Sequence, residues 1–153
     1  MTTTNQYSAL GTFTTAIDGS SSTPTLKNLA TLSRKIGNEI DLTSTRPTLS
    51  NWELKCKFGT GPTVNRPVEL YFIKCIDGTN YEYGDDSNDP PLSALVGVFP
   101  VQSTTSAQRI ALDGITLPNC KFKPFIYNKT NQGFTNVDAD NILSYRTYNI
   151  ESA

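Results

Sequence analysis

Three observations predict an all-β chain, an antiparallel β-sandwich of jelly-roll-like type forming a single domain over residues 1–153. Turn residues cut the sequence into segments of strand length, apolar and polar residues alternate within several of them, and no convincing helical stripe appears. Eight or so short strands joined by tight turns favour two packed antiparallel sheets. A chain of 153 residues suits one domain and buries roughly 70% of the surface its unfolded form exposes. No composition shift divides it.

Taken in order, residues 1–16 are expected to form an extended N-terminal arm, and residues 7–17 and 26–42 are Thr-rich and compatible with strands. A rival reading exists for the second stretch. Leu26, Leu29, Ser33 and Ile36 lie near helical spacing, with Thr25 as a cap and Gly37 as a stop. The strand reading is preferred because Thr, Ser and Asn dilute the apolar stripe.

Residues 52–58 give the clearest strand. Trp52, Leu54, Cys56 and Phe58 alternate with Glu53, Lys55 and Lys57, so a period of two sets the four apolar groups on one face. Residues 68–76 are apolar in both registers, with Val68, Leu70, Phe72 and Ile76 on one and Tyr71, Ile73 and Cys75 on the other. Such a strand is central, or has its outer face covered by a loop or another subunit.

Residues 94–101 form a short strand whose Pro100 marks an edge or an end. Residues 106–112 form another, leading into Asp113-Gly114. Cys120 and Phe122 alternate with Lys121 and Lys123, after which Phe125 and Tyr127 continue in the opposite register, so a bulge is expected at Pro124. Residues 142–150, with Tyr145 and Tyr148, make the last strand. Asp18-Gly19, Asp77-Gly78 and Asp113-Gly114 are each expected to be tight turns, since Gly accepts positive φ and Asp braces the turn.

The function classes narrow by exclusion. A net charge of −1 without basic blocks argues against nucleic acid and anionic membrane as partners. The start, MTTTNQYSALGTF, has neither a basic nor an apolar leader region, and no apolar run reaches a membrane span, so synthesis and folding in a cytoplasm is expected. The chain has 3 cysteines and 0 histidines. Widely spaced Cys56, Cys75 and Cys120 fit neither a disulfide framework nor a zinc site, and read as small buried hydrophobes. Without histidine, Ser-His-Asp and Cys-His nucleophiles and imidazole bases are unavailable. No catalytic residue, metal ligand or cofactor is expected, and the chain reads as non-enzymatic.

The acidic loop between the strands at 68–76 and 94–101 is the richest stretch. Glu82, Asp85, Asp86, Ser87, Asn88 and Asp89 crowd together, yet Pro90 and Val96 stand where a calcium loop needs Gly and a bidentate Glu. Asp138 and Asp140 make a second, weaker acidic pair. Tyr81, Tyr83, Asp85, Asp86 and Asp89 are the candidate partner contacts, with Phe134 a further exposed-aromatic candidate. Glu69 is the one carboxylate with apolar flanks. Lys55, Lys57, Lys121 and Lys123 read as a solvated face, and Asn128-Lys129-Thr130, although of glycosylation form, as a turn.

Two regions also carry a family resemblance. The segment NLATLSRKIGNEIDL (28–42) with the strand around Trp52, and residues 67–101 with their Asp-Gly-Thr-Asn-Tyr turn, joined by residues 114–128, resemble small β-sandwich virion proteins of tailed bacteriophages. The shared features are strands and turns, so the resemblance transfers no site residues. It implies a virion protein of the capsid cement or decoration type, bridging the major capsid protein and copies of itself as a trimer. A carbohydrate- or receptor-binding module of a tail or fibre, contacting glycan through the loop tyrosines, is the alternative.

Overall fold

The computed structural model describes residues 5–17, 24–64 and 66–152. The strands are β1 (Asn5–Tyr7), β2 (Thr14–Ile17), β3 (Ser33–Ile36), β4 (Leu49–Cys56), β5 (Val68–Cys75), β6 (Leu95–Phe99), β7 (Gln108–Thr116), β8 (Lys121–Asn128), β9 (Ile142–Tyr148) and β10 (Ile150–Ser152). Among the described residues the only helical pieces are two three-residue 3₁₀ turns, Leu92–Ala94 and Asp138–Asp140. No helix there is long and apolar enough to cross a membrane.

Eight strands form two four-stranded antiparallel sheets, β2-β9-β4-β7 and β3-β8-β5-β6, packed as a β-sandwich, while β1 and β10 pair separately. The pairing is nested: β1 with β10, β2 with β9, β3 with β8, β4 with β7 and β5 with β6. One antiparallel ribbon therefore runs the length of the fold. Lateral pairing of β4 with β9 and of β5 with β8 then folds it into two layers. The loop that closes the ribbon, residues 76–91, is the acidic one.

The core follows from the alternation in β4. Trp52, Leu54, Cys56 and Phe58 are all fully buried, facing Val68, Leu70, Phe72, Phe99, Phe122 and Ile126 of the other sheet. Trp52 stacks on Tyr145 at 4.9 Å between ring centres and tilts against Phe72 at 5.2 Å. Cys56 and Cys75 are buried, as expected, and burial pushes the Cys56 thiol up to about 12. Cys120 departs from the expectation, since it is only half-buried just ahead of β8.

Both explanations for the doubled apolar face of β5 hold at once. It lies inside its sheet between β8 and β6, and its outward Tyr71 and Ile73 form a second cluster with Phe125 and Ala94, packed by Tyr81. Ile76 does not belong to the strand and is 73% exposed.

Three other expectations are corrected. No bulge occurs at Pro124: the β8–β5 register runs unbroken through the Phe72–Pro124 pair. The Pro124 carbonyl accepts from Gly37 N–H at 2.7 Å on the β3 side, just past the end of β3. The missing N–H therefore faces away from β5 and removes no β5 ladder bond. The apparent register switch reflects a second covered face, because Phe125 packs outward with Tyr71.

Asp113-Gly114 does not end a strand. It is a bulge inside β7, where the register jumps between Ser50–Ile115 and Trp52–Leu112, and Gly114 adopts φ 68°. Residues 26–42 hold only the short β3 and a bridge from Ile40 to Phe122, with neither a long strand nor the rival helix. Asn28 and Leu32 take left-handed φ of 55° and 53°, which interrupts both regular structures. Asp77-Gly78 is the expected turn, with Asp77 accepting from the N–H groups of Thr79 and Asn80. Asp18-Gly19 lies outside the described residues, as does the start of the expected N-terminal arm. From Asn5 onward that arm is tied into the fold by β1 and β2.

Candidate functional site

The acidic loop leaves β5, crosses the outer face of its sheet, binds β3 on the far edge and returns to β6 on the other side of β5. At its start, Glu82 patches β5 where β6 has run out: its N–H donates to the Lys74 carbonyl at 2.8 Å, and its carboxylate accepts from Lys74 N–H at 3.1 Å. Gly84, at φ 147°, takes a backbone conformation that other residues rarely adopt and passes so close to Ile73 and Pro90 that a Cβ would sit 3.0 and 3.3 Å from them.

Two of the carboxylates then meet β3. Asp86 binds the Lys35 ammonium and accepts from Ile36 N–H at 2.8 Å. Asp89 accepts from Arg34 Nη2, while Arg34 Nη1 donates to the Ser87 carbonyl at 2.8 Å and the guanidinium lies 5.1 Å from the Tyr127 ring centre. Asp85 turns inward to its own loop, accepting from Ser87 N–H and Asn88 N–H at 2.7 and 2.8 Å. Among the described residues no group of acidic, Cys or His side chains is arranged to hold a metal ion. These carboxylates brace the loop.

The two candidate tyrosines separate. Tyr81 is half-buried, its ring 4.3 Å from Lys123 Nζ and its hydroxyl donating to Glu39. Burial, and then that bond to a carboxylate, raise its pKa. Tyr83 is 70% exposed and donates to Asn88 Oδ1 at 2.7 Å. Ile76 and Leu92, where the chain leaves β5 and where it enters the turn before β6, are 73% and 80% exposed. A cavity of about 650 Å³ opens next to them, between Lys74, Ser93, Ala94 and Cys120. Ile76 and Leu92 were missed as site residues, because an apolar residue beside a strand reads as part of its core.

Other candidates are absorbed by the fold. Phe134 is buried against Phe58 at 5.2 Å. Asp138 pairs with Lys27 at 3.2 Å, and Asp140 with Lys57 at 3.5 Å and Lys55 at 3.9 Å. Glu69 accepts from the Tyr71 hydroxyl and faces Lys129 at 2.8 Å. Asn128 is fully buried, so the sequon is a structural joint.

The loop's turns carry a pH prediction. Hydrogen bonds from Asn80 hold Asp77 down to about 2, and those from Asn88 hold Asp85 below the usual carboxylate range. A depressed folded pKa means the contribution is present above the unfolded value of about 4 and lost as pH falls through the folded one. The backbone amide resonances of Thr79 and Asn80 should therefore titrate with a midpoint near pH 2, and those of Ser87 and Asn88 below the ordinary range. Midpoints near 4 for both turns would show that they are not formed.

Fold and site together define a β-sandwich protein that carries a braced acidic surface loop with exposed apolar residues at its base. Comparison with protein-family models, with curated proteins and with solved structures returns no match.

Proposed function

We propose that this chain is a non-enzymatic virion structural protein of a tailed bacteriophage, a capsid cement or decoration protein that binds the assembled shell through exposed side chains on and beside its acidic loop. The observation carrying this reading is the division of the loop. Its carboxylates are spent on β3, on β5 and on its own turns, while Tyr83, Ile76 and Leu92 are exposed. A loop already fixed before binding loses little entropy on contact, and exposed aromatic and aliphatic groups supply the buried area.

The strand order supports a jelly roll, since nesting all pairs of one ribbon and wrapping it into two sheets is the winding of that fold. Jelly rolls occur in both viral capsid and lectin domains, so the winding does not choose between shell and sugar. The tyrosines do. Sugar stacking by the loop relied on two exposed rings, and Tyr81 is committed to Lys123 and Glu39. That leaves Tyr83 as the one exposed loop ring, with exposed aliphatic Ile76 and Leu92 at the loop's ends, and favours a protein surface.

A protein that binds only the assembled shell stabilises it by mass action. Purified protein should bind emptied shells of its phage and raise their disruption temperature. The double substitution Tyr83→Ala, Leu92→Ala should weaken binding at least about tenfold, on the hot-spot scale for buried apolar anchors. No binding at saturating concentration would rule the reading out, and a glycan-array signal lost on Tyr83→Ala would establish the carbohydrate alternative in its place.

A further inference from the structure

We propose that the open edge of β7 joins two copies of this chain, antiparallel and about a two-fold axis through Ala111. The sandwich has four sheet edges, β2, β3, β6 and β7. Three are short, with 4, 4 and 5 residues, whereas β7 has 9, regular from Gln108 to Leu112 and continuing past the Asp113-Gly114 bulge to Thr116. The β3 edge is also covered, since Asp86 accepts from Ile36 N–H, and β6 stops at Pro100. On β7, β4 pairs one side, and among the described residues no strand pairs the other. Long unpaired edges are templates for another strand.

The residues of β7 specify which strand fits. Arg109, Ala111 and Asp113 are exposed on the outer face, while Ile110 and Leu112 are half-buried on the inner face and pack against the core. Arg109 and Asp113 lie two residues either side of Ala111. Antiparallel self-pairing centred on Ala111 therefore sets Arg109 opposite Asp113 of the partner subunit, twice over, and Ile110 opposite Leu112 of the partner subunit. Registers centred on Arg109 or on Asp113 oppose like charges, and those centred on Ile110 or on Leu112 set Arg109 or Asp113 against Ala111 and lose the ion pairs.

The charges are available for this. Asp113 has no ion-pair partner among the described residues, and Arg109, although it meets Glu53, keeps a side chain 64% exposed. Edge pairing joins the two β2-β9-β4-β7 sheets into one and covers the half-open Ile110 and Leu112. A two-fold pair replaces the trimer expected from the family resemblance. The inference stands on the edge alone and is independent of shell binding.

Sedimentation of the full chain from micromolar to millimolar concentration should show a monomer–dimer equilibrium. Asp113→Arg, which opposes two arginines at each end, should weaken it by at least about tenfold. Combining Arg109→Asp with Asp113→Arg exchanges the charges and should restore dimerisation to within about threefold of the parent. Trp52 fluorescence during heating checks that each variant is folded. Independently of these, Ala111→Cys should be linked to its twin by a short bismaleimide under conditions that leave the parent chain unlinked. A parent that stays monomeric, a trimer, a double variant as weak as Asp113→Arg, or an unlinked Ala111→Cys variant would each overturn the proposal.

Discussion

Trp52→Ala is expected to remove about 3–5 kcal/mol of folding stability, the largest effect of any single substitution in this chain. Trp52 is fully buried at the centre of β4, stacked on Tyr145 and leaning on Phe72, so it bridges the two sheets. Truncation forfeits both ring contacts and leaves a cavity that the surrounding strands, held in ladders on both sides, cannot fill. A polar link goes as well. Trp52 Nε1 donates to Ser50 Oγ at 2.9 Å, and Ser50 Oγ in turn donates to the Ile115 carbonyl beside the β7 bulge. For a domain of this size the thermal midpoint should fall by about 10 °C. Trp52→Phe, which keeps an aromatic ring, should cost about 1–2 kcal/mol. A loss below 1 kcal/mol for Trp52→Ala in chemical unfolding would mean that this part of the core is not packed as described.

Asn128→Ala should cost about 3 kcal/mol, an effect large for a residue whose sequence setting marks only a turn. The Asn128 amide nitrogen donates to the carbonyls of Leu29, Ala30 and Gln132 at 3.2, 3.1 and 2.8 Å. Its oxygen accepts from Thr130 N–H at 3.1 Å and from Thr130 Oγ1 at 2.7 Å. Removal strands several groups in a region closed to water, and each such group costs about 1–3 kcal/mol in isolation. Asn128→Asp supplies the more searching test. It is nearly isosteric but has no donors when ionised and sets a buried charge against three carbonyls, so it should be at least as destabilising as Asn128→Ala. Thermal unfolding of both variants checks this. An Asn128→Asp protein as stable as the parent would show that the amide is not the joint that holds residues 29–30 to the end of β8.

The β-sandwich was legible because β4 states its own orientation. Trp52, Leu54 and Cys56 at a spacing of two, with charges between them, can be buried together only on one face of a strand, and all three are fully buried, as is Phe58, which lies just past the end of β4 and not within it as expected. Apolarity in both registers of β5 likewise announced a strand covered on both sides. Pro124 was misread because the missing N–H of proline matters only on the side where a ladder bond is due. That side depends on which strand lies next to it, here the end of β3. Asp113-Gly114 was misread for a related reason: a dipeptide that suits a turn suits a bulge equally, and the unbroken β4 partner decides between them.

The acidic loop was visible as a loop and as a concentration of carboxylates, but its chemistry was not. Arg34 and Lys35 lie about fifty positions earlier in the sequence, and they neutralise the loop only because β3 and β5 share a sheet with β8 between them. The same distance hid the separation of Tyr81 from Tyr83, since Glu39 and Lys123, which engage Tyr81, arrive from other segments.

By itself, then, the sequence determined the all-β class, the inward face of β4, the double covering of β5 and the turn at Asp77-Gly78, because each depends on alternation or on backbone preference within a few residues. Tertiary structure decided the nested ribbon, the open β7 edge and the use to which each charge is put. Those depend on which strands become neighbours, a choice made by burying both sheet faces at once, and no local stretch of sequence contains that information.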